Sequence, residues 1–302
     1  MKPWLTRLQL AAETLLVRLI LACVRRLGPV RASNFGAAVA GFLGPILPVS
    51  RVAETNLRRS LPELDQAART RILHDVWRNL GRVAAELPYL ATMKRTESGP
   101  GFEVVGDEHL QAIVAEGGPA IFFAAHIGNW EYCPLSAAWH GLRMSNFYRA
   151  AKNTEVDRLI GDIRAQAFTP PGQPPVQNFP KGAHGARAAL RHLAQGGLLG
   201  MLVDQKMNDG IEAPFFGRPA MTAPAAAVYA LRFRCKLLPV HAERLGPARM
   251  RVIIEPPVAL PNTGDRQADI ATLTAAMNRH IEGWIRHRPG EWLWLHRRWP
   301  KE

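Results

Sequence analysis

The residues of this chain with the clearest potential for chemistry follow a short apolar run near its middle. Residues 120–125 (AIFFAA) come after a Gly-Gly-Pro turn and have the length and composition of a buried strand. His126 follows this run directly, and Glu131 comes five residues later. An imidazole can accept or release a proton near neutral pH, and a carboxylate beside it can fix its tautomer. The pair therefore has the composition of a general base and its orienting group.

The spacing of His126 and Glu131 limits the backbone on which they could cooperate. Five residues apart on one straight helix, the two side chains would diverge by about 140°. They can approach each other if His126 lies in a turn after the strand and Glu131 in the first turn of the following helix. The N-terminus of that helix could also stabilise a developing negative charge. A histidine satisfied by the backbone and a glutamate in solvent are the alternative interpretation of this motif.

The chain around this motif predicts an α/β fold, with a mostly parallel central sheet flanked by helices. From residue 102 to residue 257, short apolar runs alternate with segments of helical periodicity. Ligands bind beyond the carboxyl ends of the strands in such sheets, which is where His126 would lie. The predicted strands are 102–105, 120–125, 144–148, 198–203, 237–242 and 250–254. The predicted helices are 63–87 (starting after Pro62), 107–116, 131–139, 154–167, 183–194, 223–233 and 269–287.

The first 50 residues differ in character from the rest of the chain. Segments 8–24 and 32–50 are apolar and flanked by arginines, and no signal-peptide cleavage site follows the first. Neither segment is a clean span of about 20 apolar residues. We expect residues 1–50 to form membrane-associating helices, either interfacial or one weak anchor, ahead of a single domain over residues 51–302. A helical hairpin that covers the core of a soluble protein is the alternative.

The composition narrows the partners and cofactors of this protein. A net charge of +13 indicates an anionic partner, such as a membrane surface, an acidic carrier protein, a phosphorylated lipid or a nucleic acid. Three widely spaced cysteines exclude a disulfide scaffold and a zinc ribbon. The other histidines lack metal-ligand spacing, and no glycine-rich phosphate loop is present. We therefore expect no metal and no cofactor.

Further blocks accompany the His126 motif in a fixed order along the chain. They are HIGNWE at 126–131, FYR at 147–149 with Asn153, LVDQ at 202–205, PFFG at 214–217 with Thr222, and EWLWLHRRW at 291–299. As an ordered set these blocks resemble the late acyltransferases of lipid A biosynthesis, the lauroyl and myristoyl transferases of Gram-negative bacteria. The resemblance runs from the N-terminal apolar region to Trp299, and it implies a fold like that of the glycerolipid acyltransferases.

This resemblance implies catalytic roles for three residues. His126 would be the general base, and Glu131 would be the acid residue that orients it. Arg164, on the helix after the FYR block, would bind the oxyanion formed from a thioester. A cation on the surface of that helix is the alternative for Arg164. A covalent acyl intermediate on Cys133 is less favoured, because a small buried cysteine is the commoner structural role.

Four further residues are expected to bind substrate. Asn129 belongs to the His126 motif, and Arg149 could hold a phosphate of either substrate. Asp204 and Gln205 would line the site from the end of a strand, although Asp204 could equally be a buried structural residue. The proline-rich segment 169–180 departs from the pattern of the family.

The function implied by the resemblance is transfer of a fatty acyl chain from acyl carrier protein to a hydroxyl of a Kdo-bearing lipid A precursor. The expected location is the cytoplasmic face of the inner membrane, where an anionic surface and two acidic substrates would account for the positive charge. Acylation of a glycerophosphate, an ornithine lipid or a mannosylated lipid is the alternative reaction. No nucleic-acid partner is expected, although the tryptophans and arginines of segment 292–299 could stack on bases. A membrane-bound scaffold without activity is a third possibility.

Overall fold

Nine strands are present in the computed structural model, which describes residues 3–300. Seven of them form one central sheet, and two form a separate hairpin. The strands are β1 (Gly101–Val105), β2 (Ala120–Ala124), β3 (Met144–Tyr148), β4 (Phe179–Pro180), β5 (Leu198–Leu202), β6 (Lys206–Phe215), β7 (Arg218–Thr222), β8 (Lys236–Gly246) and β9 (Arg249–Ile254).

The central sheet has the strand order β1-β9-β8-β2-β5-β3-β4. Its neighbouring strands are parallel except for β8 and β9, which form an antiparallel hairpin. The prediction of a mostly parallel α/β sheet flanked by helices is therefore confirmed. The carboxyl ends of β2, β3 and β5 meet at one edge of this sheet, so residues far apart in sequence come together there.

Ten helices surround the sheet in the described part of the chain. They are α1 (Pro3–Leu27), α2 (Pro29–Leu43), α3 (Ser50–Ser60), α4 (Gln66–Glu86), α5 (Asp107–Glu116), α6 (Tyr132–Trp139), α7 (Thr154–Phe168), α8 (Ala183–Ala194), α9 (Ala225–Phe233) and α10 (Arg266–His287). Short 3-10 helices follow α2, α4 and α10.

Strand β2 lies at the centre of the sheet and is buried at every position. Ile121 and Phe123 point to one face of the sheet, which α8, α9 and α10 cover. Phe122 and Ala124 point to the opposite face, which α5, α6 and α7 cover. This alternation follows from the two-residue period of a strand, and burial on both faces explains the continuous apolar run.

The structure differs from the predictions in the start of one helix and in three strands that were not predicted, β4, β6 and β7. The helix expected from residue 63 begins at Gln66, because the side chain of Asp65 accepts a hydrogen bond from the backbone N–H of Ala68 at 2.7 Å and caps the helix there. The hairpin of β6 and β7 was not predicted. Its two turn residues, Phe216 and Gly217, both have positive φ, but Phe-Gly is not a usual sequence for such a turn.

Most of the exposed large hydrophobic side chains in the described part of the protein lie between residues 8 and 49. We use "α2 apolar face" for the exposed side chains of Phe35, Val39 and Phe42. Among the described helices, none alone has the length and apolar content needed to cross a membrane. The segments Pro29–Ile46 and Ser50–Ser60 reach that threshold only as a pair, and they meet at an angle of 85°.

Helix α2 packs closely on α4, and glycines make this contact possible. A Cβ atom at Gly36 would lie 2.2 Å from the carbonyl oxygen of Gly81. A Cβ atom at Gly81 would lie 2.1 Å from the carbonyl oxygen of Gly36. The N-terminal region is thus packed against the remainder of the protein, and the domain boundary at residue 50 stays a prediction.

Candidate active site

His126 lies in the turn after β2, in contact with Asp204, which follows β5. The Nδ1 atom of His126 is 2.7 Å from Oδ1 of Asp204. The backbone N–H of His126 donates to Oδ2 of Asp204 at 3.0 Å. Because β2 and β5 are parallel neighbours, residues 78 positions apart meet at the same edge of the sheet. The aspartate thus holds both the ring and the backbone of the histidine.

The carboxylate of Asp204 is buried but well satisfied. Its Oδ2 atom also accepts a hydrogen bond from the indole N–H of Trp292 at 2.8 Å. Burial raises the pKa of Asp204, but the charge of His126 and the hydrogen bonds from His126 and Trp292 outweigh it and lower the pKa to about 2. An ionised Asp204 favours the His126 tautomer with its proton on Nδ1. The Nε2 atom is then free to accept a proton from a substrate.

Glu131 forms an ion pair with Arg164 rather than with His126. Its Oε2 atom is 3.0 Å from Nε of Arg164, and its Oε1 atom is 2.5 Å from a terminal guanidinium nitrogen. Burial opposes the charge of Arg164, but the Glu131 carboxylate raises the pKa of that guanidinium. Glu131 precedes α6 and its side chain turns towards α7, while Asp204 reaches His126 from β5. The contact predicted between His126 and Glu131 is therefore replaced by one between His126 and Asp204.

Asn129, predicted to bind substrate, supports the loop after β2 and does not line the cavity beside His126. Its side chain is fully buried and donates to Oε2 of Glu86 at 2.8 Å. Its Oδ1 atom accepts a long hydrogen bond, 3.3 Å, from the backbone N–H of Glu131. Gly128, the preceding residue, has φ of +60°, and a Cβ atom there would lie 1.9 Å from the carbonyl oxygen of Ala242. The loop that carries His126 is thus shaped by a glycine and a buried amide.

The carboxylate that holds Asn129, Glu86, was not identified from the sequence. It is fully buried at the end of α4 and accepts hydrogen bonds from the hydroxyl of Ser33 at 2.6 Å and the backbone N–H of Ala248 at 3.0 Å. Both of its oxygens also bind the guanidinium of Arg244, at 2.6 and 3.1 Å. A glutamate near the end of an amphipathic helix carries no sequence signal of such a role.

A cavity of about 530 Å³ opens beside His126 and has two kinds of lining. Buried apolar side chains from the sheet, α6 and α7 form its interior: Phe122, Ala124, Cys133, Met144, Phe168 and Val240. Polar and charged side chains lie towards solvent, and the basic ones outnumber the acidic ones: Arg149, Arg158, Arg164 and Lys181 against Asp157 and Asp162, with Gln205. The cavity can therefore take an apolar chain inside and an anionic group at its mouth.

Two of the predicted substrate-binding residues, Arg149 and Gln205, line this cavity. Lys181 lines it as well and was missed, because it follows a strand of only two residues. The backbone N–H of Lys181 donates to the carbonyl oxygen of Tyr148 at 2.9 Å, which places Lys181 next to Arg149. Desolvation lowers the pKa of Lys181, the charge of Asp204 opposes this shift, and the charge of Arg149 adds to it.

Two other sequence features have structural roles. Cys133 is buried, and its burial raises the pKa of the thiol to about 12, so it stays protonated and is a poor nucleophile. Trp292, Trp294 and Trp299 are buried against the β6–β7 hairpin. The tryptophans predicted as a possible base-stacking surface therefore belong to the core.

Comparison with known proteins agrees with this site. A parallel sheet with a histidine–aspartate pair beside an apolar cavity suits an enzyme that moves an apolar acyl group. A model of the bacterial lipid A biosynthesis acyltransferases matches residues 3–301, and the chain therefore belongs to that family. It is also similar to a lipid A biosynthesis acyltransferase of Haemophilus influenzae, with 22% identity over 248 residues, 80% of this chain and 73% of that protein.

Family membership confirms the resemblance seen in the ordered sequence blocks. It implies an acyl donor and a lipid A precursor as substrates, and enzymes of this family are associated with the inner membrane.

Proposed function

We propose that this enzyme transfers a fatty acyl chain from acyl carrier protein to a hydroxyl of a Kdo-bearing lipid A precursor at the cytoplasmic face of the inner membrane. The observation that carries the proposal is the His126–Asp204 pair, which opens on a cavity that is apolar inside and basic at its mouth. The apolar interior accommodates the acyl chain, and the mouth faces the anionic parts of both substrates.

The chemistry begins at the free Nε2 atom of His126. This atom takes the proton of the acceptor hydroxyl while the hydroxyl oxygen attacks the carbonyl carbon of the thioester. Asp204 stabilises the imidazolium that results, because its carboxylate is ionised and faces Nδ1. When the tetrahedral intermediate collapses, the thiolate leaves and takes the proton back from His126. The products are the ester and the free carrier thiol.

Arg164 is suited to stabilise the oxyanion of the tetrahedral intermediate. Glu131 binds its Nε and one terminal nitrogen, so the second terminal nitrogen can still donate to a substrate oxygen. The bidentate pair also fixes the guanidinium beside the cavity, which both residues line together with His126. In this arrangement Glu131 orients the oxyanion ligand and Asp204 orients the base.

Arg149 and Lys181 provide the positive charge at the mouth of the cavity. Both substrates carry phosphate groups, and an acyl carrier protein is acidic, so these side chains suit either partner. Gln205, next to Asp204, can donate or accept a hydrogen bond at the same rim.

The test uses the purified full chain, acyl carrier protein donors of graded chain length and a Kdo-bearing lipid A precursor, with mass spectrometry of the lipid product. We expect one added acyl chain with the wild-type enzyme and none with His126→Ala. Glycerol 3-phosphate and an ornithine lipid serve as competing acceptors in parallel reactions. Transfer to one of these with none to the lipid A precursor would overturn the proposal.

A further inference from the structure

A second cleft, of about 480 Å³, shares no lining residue with the cavity beside His126. It lies between α4, the β8–β9 hairpin and the end of α10. Four arginines line it: Arg78, Arg82, Arg244 and Arg288. Such a concentration of guanidinium groups in a concave site favours an anionic ligand.

Two of these arginines are already engaged by carboxylates. Arg244 binds both oxygens of the buried Glu86. Arg288 donates to Glu243 at 3.3 Å and lies 3.7 Å from Glu291. These pairs hold the walls of the cleft together, so they are not the source of its excess charge.

Arg78 and Arg82 have much weaker compensation. The carboxylate partner of Arg78 is Asp75, at 3.8 Å, and both side chains of this pair are more than half exposed. Arg82 donates through one nitrogen to neutral oxygens, those of Ser33 at 3.1 Å and Asn34 at 2.9 Å. Within residues 3–300, the remaining nitrogens of Arg82 have no hydrogen-bond partner in the protein. Both guanidinium groups can therefore donate to a ligand.

The two arginines lie one turn apart on the same face of α4. Like charges at this spacing destabilise a helix unless an anion lies between them. Partial burial, together with the charges of Arg244 and Arg78, lowers the pKa of Arg82, against the influence of Glu86. An anion bound between Arg78 and Arg82 would relieve this repulsion.

The position of these arginines identifies the source of the anion. The stem of Arg78 packs on α2 at Gly41, where a Cβ atom would lie 2.8 Å from Cγ of Arg78. Arg82 contacts α2 through Ser33 and Asn34. The α2 apolar face begins at the next residue, Phe35, which is 57% exposed. Helix α2 therefore contacts the arginines of the cleft on one side and carries an exposed apolar face on another, and a membrane interface combines these two properties.

We propose that this cleft binds the phosphate headgroup of an anionic membrane lipid, with Arg78 and Arg82 as its ligands. The lipid chains then lie beside the α2 apolar face. An acidic protein partner would use the charge but leave the exposed apolar side chains of α2 uncovered, so the lipid fits both observations. The proposal concerns binding alone and does not depend on the acyl-transfer reaction.

The experiment measures binding of the full-length chain to vesicles of phosphatidylcholine, with and without phosphatidylglycerol. We expect the wild type to prefer the phosphatidylglycerol vesicles, and Arg78→Gln/Arg82→Gln to lose about 30-fold of that preference. The control is Arg266→Gln/Arg279→Gln, which removes the same charge from exposed positions on α10 and should keep the preference. Arg78→Gln alone should reduce this preference about fivefold. Because Arg78 is exposed, this single variant tests the cleft even if the double variant misfolds.

Three results would overturn the proposal. The first is an unchanged preference in both the double variant and Arg78→Gln. The second is a double variant that binds vesicles like the wild type but has a raised KM for the carrier-protein donor. This result would assign the cleft to an acidic protein. The third is binding of inorganic phosphate to the wild type in calorimetry without any preference for phosphatidylglycerol vesicles, which would make it a site for a free ion.

Discussion

Two buried carboxylates, Glu86 and Asp204, support the loop after β2, and their partners differ in one important respect. Glu86 binds Arg244 and Asn129, which keep their charge state at every physiological pH. Asp204 binds His126, whose imidazole can accept and release a proton. The first carboxylate can only hold the loop in place. The second can also stabilise a proton while it moves, so the partner of a buried carboxylate, rather than its burial, distinguishes a structural site from a reactive one.

The largest effect on activity is expected at the carboxylate that faces the imidazole. Asp204→Asn keeps the shape of the side chain but removes the charge that stabilises protonated His126. We expect kcat to fall by about 10³-fold to 10⁴-fold with little change in KM for the donor. Steady-state kinetics and thermal unfolding of the same preparation test this expectation. A raised KM with normal kcat would place Asp204 in binding instead.

The largest effect on stability is expected at the carboxylate that faces the guanidinium. Glu86→Gln leaves Arg244 without its counter-charge in a buried network, and we expect a loss of about 3–5 kcal/mol in the free energy of unfolding. Denaturant titration measures this loss. The double variant Glu86→Gln/Arg244→Gln removes both charges and should be more stable than Glu86→Gln. If the single variant unfolds like the wild type, Glu86 does not anchor the loop.

Glu131 could orient either of two residues, the base His126 or the oxyanion ligand Arg164, and substitutions can distinguish these roles. Since both of its oxygens bind Arg164, we expect Glu131→Gln to lower kcat by about 10²-fold to 10³-fold, as for loss of one oxyanion donor. Combining Glu131→Gln with Arg164→Lys should lower kcat little more than either substitution alone, because both disturb the same ion pair. Adding Glu131→Gln to Asp204→Asn should lower kcat further, by the same factor as Glu131→Gln lowers it in the wild type. If instead the effects of Glu131→Gln and Arg164→Lys add in full and those of Glu131→Gln and Asp204→Asn do not, Glu131 acts on His126.

The smallest expected effect is on acid stability. The pKa of Asp204 is lowered in the folded protein to about 2, below its value in an unfolded chain, so its ionised form stabilises the fold above pH 4. That contribution, about 2 kcal/mol, is lost as the pH falls from about 4 to about 2. Unfolding free energies measured across this range should fall less steeply for Asp204→Asn than for the wild type. Equal slopes would show that the carboxylate is not held in its charged form.

The sequence predicted six of the seven strands of the central sheet and the helices around them, since apolar runs and helical periodicity report directly on burial. It also placed His126, Arg149 and Gln205 at the edge of the sheet, because each follows or ends a predicted strand. These positions depend on local pattern and on the rule that parallel strands end at the same edge. The family resemblance was carried by short blocks whose order along the chain could be read without a structure.

Partner choice within the site could not be predicted in the same way. His126 and Glu131 are close in sequence, and their proximity suggested a contact that the path of the chain does not make. Asp204 was predicted in the site, but its contact with His126 depends on the pairing of β2 with β5, which a local pattern does not specify. Glu86 gave no signal, because its partners come from three separate parts of the chain: α2, the loop after β2 and the β8–β9 hairpin.

The most direct test of the account is a single-turnover measurement with acyl carrier protein donor and Kdo-bearing lipid A precursor, followed by mass spectrometry. The wild type should form the acylated lipid and release the free carrier thiol in equal amounts. His126→Gln should bind the donor with wild-type affinity and form no acylated lipid on the same timescale. Formation of the acylated lipid by His126→Gln at the wild-type rate would contradict the assignment of His126 as the base.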